Sequence, residues 1–305
     1  MVFLVVQLIF GLIDGYKVLF LLTFIISGYG MYLLVKYLTE NKMAAFISGL
    51  IFMFSPYHFA HALGHTNLMS IQWIPFYILF LIKIMKEDKI SNAIYAGIFL
   101  LMISISSYYY AIYIFILTGM ILLYYFLIDR NILRSKISKI LLMALIFGLL
   151  FSPFLYLILK ENPLDNKSLY IGGYVEYSAD LLGFFIPTTF HPILKDYANR
   201  IYENFTGNSA EWTVYAGYTV LFLAFVAVLK IKTREIKFWT LSTIIFGILS
   251  LGPILHINGI FKYNGILSGF YESSSGLMLP YIILMKILIF FIASVPSLWY
   301  ILVML

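Results

Sequence analysis

The sequence contains no cysteine, which excludes disulfides, thiolate catalysis and cysteine-ligated metal sites. Charge is also scarce: 11% of the 305 residues are Asp, Glu, Lys or Arg, against about 25% in an average soluble domain. No Gly-x-x-x-x-Gly-Lys phosphate loop, no Gly-x-Ser-x-Gly elbow and no His-Glu-x-x-His pair occurs, so these signatures of soluble enzymes are missing. The N-terminus has neither a basic stretch nor a small-residue cleavage site, and is not read as a removable signal peptide. There is no clear internal repeat and no low-complexity linker. Residues 1–305 read as a single polytopic membrane domain.

What is abundant is apolar: 62% of the residues are hydrophobic, with 28 Phe and 25 Tyr. A soluble fold of this length cannot hide that much apolar surface, so the expected solvent is lipid. Long apolar runs cover 18–38, 43–55, 70–85, 91–106, 109–128, 137–159, 213–231, 236–252 and 279–305, with a shorter one at 1–13. The expected fold class is all-α integral membrane, with about nine or ten transmembrane helices, fewer if the short runs are re-entrant.

Lys and Arg decide orientation. One set of alternate loops holds Lys36 and Lys42, then Lys83, Lys86 and Lys89, then Arg130, Arg134, Lys136 and Lys139, then Lys230, Lys232, Arg234 and Lys237. These loops read as cytoplasmic. The other set, including the acidic, Tyr-rich stretch 161–212, reads as facing outward from the cell membrane. That outer loop of about 50 residues carries an apolar patch, Leu181 to Ile186, too short to span and expected to dock on the membrane surface. A second outer loop runs through 253–278. Lys286 sits inside the last apolar run, a position that marks an interfacial segment or a polar cavity. Basic charge is explained by topology, and no nucleic-acid partner is expected.

Ser55 followed by Pro56 reads as a helix start, hydroxyl cap then proline at the first helical position. On a continuing helix His58, His61 and His65 share one face. Three imidazoles there suit a divalent metal, or a polar lining for a substrate, or structural histidines; Gly64 as a helix end would turn His65 away. Asn67 and Gln72 extend the same polar segment, and Trp73 is an interfacial anchor or a lining residue. In the outer loop, Glu176, Asp180, His191, Glu203 and Glu211 stand among Tyr170, Tyr174, Tyr177, Tyr197 and Tyr202. Asp180 and Glu211 are the catalytic candidates, because a carboxylate at a membrane boundary has its proton affinity raised by desolvation. Tyr174 and His191 join His58, His61, His65, Asn67 and Gln72 as substrate-binding candidates. Asp14 stands alone between the first two apolar runs. Asn166-Lys167-Ser168 and Asn204-Phe205-Thr206 fit the N-glycosylation pattern. Within the spans ionisable residues are almost absent, which argues against a proton-driven transporter.

The segments Ser27-Gly28-Tyr29-Gly30-Met31-Tyr32, Phe54-Ser55-Pro56-Tyr57-His58-Phe59-Ala60-His61, Gly64-His65-Thr66-Asn67, Ile71-Gln72-Trp73-Ile74-Pro75, Ser178-Ala179-Asp180-Leu181-Leu182, His191-Pro192 and Tyr215-Ala216-Gly217-Tyr218 together resemble polytopic proteins of the GT-C glycosyltransferase superfamily. Within it the chain is similar to the group called the 6-pyruvoyl-tetrahydropterin-synthase-related membrane domain. The resemblance implies sugar transfer from a polyprenyl-phosphate donor to a glycan or lipid acceptor at the outer face, with a carboxylate in the first outer loop as general base. Asp14 does not match that motif, and Ser294-Val295-Pro296-Ser297-Leu298 lacks the arginines that flank the corresponding proline. The chain therefore reads as lacking the family's N-terminal span and part of its C-terminal region. The competing expectations are a non-catalytic subunit, scaffold or truncated relic of the same fold, and a transporter or flippase.

Overall fold

A computed structural model describes residues 2–160, 173–259, 277–285 and 294–305. Lys167, Tyr170, Lys262, Lys286 and the Asn166 glycosylation pattern lie outside the described residues. The chain falls into two compact units, Met1–Pro163 and Leu164–Leu305.

The first unit is a helical bundle: α1 (Val2–Thr39), α2 (Lys42–Met53), α3 (Pro56–Ala62), α4 (Trp73–Lys86), α5 (Ile90–Ser106), α6 (Tyr108–Ile128) and α7 (Arg130–Lys160). In α1 the helix breaks at Gly11, whose φ of 77° is open to glycine and strained for other residues. Asp14 therefore lies on the helix, in an exposed ion pair with Lys17 one turn on, and not in a loop between two spans. α1 and α2 approach closely through facing glycines: a Cβ on Gly49 would stand 2.7 Å from the Gly28 carbonyl oxygen.

Among the described residues, four helical stretches are long and apolar enough to cross a membrane: Leu8–Thr39, Lys42–Ala62, Tyr108–Ile128 and Arg130–Ile158. The expectation of about nine or ten spans counted every apolar run alike. In the structure α4 is a 14-residue helix buried almost all round. Ile74, Tyr77, Ile78, Leu81, Ile84 and Met85 are all inside, and α1, α5, α6 and α7 pack around it. At about 1.5 Å per residue it is also too short for a ~30 Å hydrocarbon layer. Its apolar run is satisfied by protein. Tyr77 donates to Thr118 of α6 at 2.7 Å. By contrast α7 has only 6% of its apolar window buried; Leu141, Leu145 and Leu149 form an exposed stripe at every fourth position, a surface that calls for an apolar solvent.

The second unit holds α8 (Gly173–Glu176), a 3-10 turn at Leu181–Phe184, α9 (Lys195–Tyr202), α10 (Tyr218–Lys230), α11 (Arg234–Ser250), α12 (Tyr281–Met285), a second 3-10 turn at Pro296–Trp299, and α13 (Tyr300–Val303). The run at 279–305 is thus no continuous helix among the described residues. α11 packs on α10, on α13 and on the turn before it. α10 buries none of its side chains. Among the described residues the β-structure consists of two isolated bridges, Asp180 with His256 and Ile254 with Met278. Part of the patch Leu181 to Ile186 turns inward: Leu182 and Ile186 pack with Ile201 and Trp212 against Ala198, Tyr202 and Phe205, while Phe185 stays exposed.

Candidate functional site

Ser55 and Pro56 start α3 as the sequence dictates: the serine side chain accepts from His58 N–H at 3.3 Å and proline takes the first turn. The helix ends at Ala62, and His65 follows in a turn closed by its N–H to the His61 carbonyl at 2.8 Å. His58 stacks on Phe24 of α1 at 3.9 Å between ring centroids, with Nδ1 3.0 Å from the Met53 carbonyl. His61 meets Tyr57 edge-on at 4.2 Å. His58 and His61 are wholly buried, and His58 Nε2, both His61 ring nitrogens and His65 Nδ1 have no hydrogen-bond partner. Each such orphan costs about 1–3 kcal/mol. Among the described residues no three His, Asp or Glu side chains are placed to hold a metal ion, so the shared-face metal site is not formed.

Beside this segment lies a cavity of about 300 Å³. Tyr16 and Thr23 of α1, Thr66, Asn67 and Ser70 of the α3–α4 connection, Gln72 and Trp73 at the head of α4, and Ser106 at the end of α5 line it, with Leu19, Met69, Met102 and Ile105 as its apolar wall. The Tyr16 hydroxyl donates to the Ala62 carbonyl at 3.3 Å, tying α1 to the end of α3. Gln72 is buried, 7% exposed, and its Oε1 has no hydrogen-bond partner. No lining residue carries a charge. Amides, hydroxyls and an indole lining a cavity without charge suit an uncharged ligand that offers O–H or N–H groups. The cavity brings together Asn67 and Gln72 of the expected binding residues; His58, His61 and His65 do not line it. Tyr16, Thr23 and Ser106 were missed. Tyr16, Leu19 and Thr23 fall at i, i+3 and i+7 on one helical face, and the two hydroxyls at that spacing were the available signal.

The remaining candidates belong to the second unit. Asp180 is buried and its carboxylate is used by the backbone. Oδ1 accepts from Leu182 N–H at 2.9 Å and Asn258 N–H at 3.1 Å, and Oδ2 accepts from Gly259 N–H at 2.7 Å. Asn258 and Gly259 are both left-handed, at φ 54° and 72°, so successive N–H groups converge on the carboxylate as an anion-binding nest. His256 lies in the same turn, its Nδ1 3.2 Å from the Thr206 hydroxyl. Burial pushes its pKa down to about 4, against the opposing pull of Asp180. His191 Nδ1 accepts from Ile193 N–H and Leu194 N–H at 3.2 and 3.0 Å, shaping the entry to α9. Tyr174 is buried, its carbonyl accepting from the Ser178 hydroxyl at 2.7 Å.

Glu211 differs from Asp180. It is buried at 5% exposure, its Oε2 has no partner, and burial raises its pKa to about 7 although its own backbone and the Asn208 side chain pull the other way. A carboxylate so poised exchanges a proton near neutral pH. The next residue fixes the loop: Trp212 Nε1 donates to the Thr206 carbonyl at 2.6 Å.

No curated protein and no solved structure matches the chain. Residues 14–265, most of the length, match the profile of a family described as a domain of unknown function, DUF6311. The chain belongs to the DUF6311 family.

Proposed function

We propose that this DUF6311 protein is a membrane-bound glycosyltransferase of GT-C type, moving a sugar from a polyprenyl-phosphate donor to a cell-surface glycan or lipid acceptor. The observation that carries the reading is the uncharged cavity of the first unit, lined by Tyr16, Thr23, Asn67, Gln72 and Trp73. Amide and hydroxyl side chains there suit sugar hydroxyls, and Trp73 suits an apolar side of the ring. Independently of that cavity, Glu211 of the second unit, ionised above about pH 7, has the proton affinity of a general base. In this reading the shorter apolar helices Ile90–Ser106 and Tyr218–Lys230 also lie in the cell membrane, which with the four long ones makes six apolar helices among the described residues. The basic loops are then cytoplasmic and 161–212 lies outside.

A second reading, a non-catalytic subunit of the same fold, draws on Asp14. The carboxylate nearest the position of a first-loop base is held by Lys17 on an exposed helix turn.

Mass spectrometry of lipid-linked sugars and surface glycans after gene deletion separates the two. The enzyme reading expects a lost glycan or an accumulated polyprenyl-phosphate sugar, restored by the wild-type gene. Gln72→Ala and Glu211→Gln should fail to restore it while accumulating normally in the membrane. An unchanged glycan and lipid profile in the deletion strain would reject transfer.

A further inference from the structure

Where α6 gives way to α7, the side chains of Phe126, Arg130, Leu133, Arg134 and Ile137 enclose an open groove of about 370 Å³. Positions 130, 133, 134 and 137 fall on one face of a helix, so two guanidinium groups one turn apart are interleaved with two aliphatic side chains. Arg130 lies over the Phe126 ring at 4.8 Å. Among the described residues neither arginine has a carboxylate partner. The neighbouring lysines are already matched, Asp88 taking both Lys136 and Lys139, and Asp129 serves the start of α7, its Oδ1 accepting from Asn131 N–H at 2.8 Å. The same face runs on through Ile137, Leu141 and Leu145, each more than half exposed at 51%, 62% and 57%.

We infer that this groove is a binding site for an anionic membrane phospholipid. The phosphodiester sits between Arg130 and Arg134, and one acyl chain follows Ile137, Leu141 and Leu145. Charge complementarity selects the headgroup: two unpaired guanidinium forks match phosphate oxygens bidentately and leave a zwitterionic headgroup's ammonium without a counter-charge. The uncharged track leading from the arginines selects an attached chain over a free phosphate. The site does not depend on the glycosyl-transfer reading.

Native mass spectrometry of the whole protein, released from mixed micelles of phosphatidylglycerol and phosphatidylcholine, tests it. The wild type should retain phosphatidylglycerol at least tenfold in preference to phosphatidylcholine. Arg130→Gln/Arg134→Gln should lose that preference, and Lys230→Gln/Lys232→Gln, which removes equal charge elsewhere, should keep it. If the first variant does not fold, Ile137→Ser/Leu141→Ser replaces it and should weaken phosphatidylglycerol retention severalfold. No preference in the wild type, an unchanged preference in Arg130→Gln/Arg134→Gln, or soluble glycerol phosphate competing as well as the lipid would overturn the assignment.

Discussion

Glu211 and His256 titrate against each other in their effect on stability. The His256 pKa falls from 6.5 to about 4 on folding, so the unfolded chain binds the extra proton in that window. Its contribution is present above pH 6.5 and is lost as pH falls towards 4. The Glu211 pKa rises from 4.5 to about 7, so the folded chain binds the extra proton and stability is lost as pH rises through 4.5 to 7. Each shift is worth about 3 kcal/mol, with opposite sign over nearly the same range. Glu211→Gln should therefore remove the opposing slope, so that between pH 5 and 6.5 its stability in detergent climbs by about 2 kcal/mol more than that of the wild type. Identical pH profiles of wild type and variant would contradict this. Asp180→Asn should lower the unfolding midpoint, at a cost of about 2–3 kcal/mol, because a carboxylate accepting three backbone N–H groups becomes an amide with one acceptor oxygen. An unchanged midpoint with lost transfer activity would instead make Asp180 chemical and not architectural. That architecture was not legible in the sequence: two of the donors lie 78 and 79 residues away, and no local pattern announces them. The Ser55–Pro56 cap was legible because its chemistry is confined to a few adjacent residues.

At the scale of the element, the apolar runs located the helices well and their solvent less well. An apolar helix reads the same whether its wall is lipid or protein. α4 is enclosed by four other helices, and only its length of 14 residues separates it from a span. α7 also carries a long apolar window, with almost no protein cover. The contact of α1 with α2 depends on Gly28 and Gly49, a small-residue approach of the kind that lets helix backbones pack without side chains between them. Gly49→Leu should push the two helices apart and cost about 1–3 kcal/mol, seen as a lowered midpoint in detergent. Gly148→Leu on α7, where nothing stands within 4 Å of the new Cβ, should be close to neutral. Equal effects at the two sites would remove the packing argument.

For the whole molecule, the basic residues carry the account. Lys83, Lys86, Lys89, Arg130, Arg134, Lys136 and Lys139 gather at one set of helix ends, and Asp180, Glu211 and the tyrosine-rich stretch belong to a segment read as lying on the opposite side of the bilayer. A chain without cysteine is ready for single-cysteine labelling with a membrane-impermeant maleimide. Tyr177→Cys should react in intact cells, and Ser135→Cys only once the membrane is opened. Labelling of Tyr177→Cys confined to opened cells would reverse the orientation and remove the outer-face assignment of Glu211 with it.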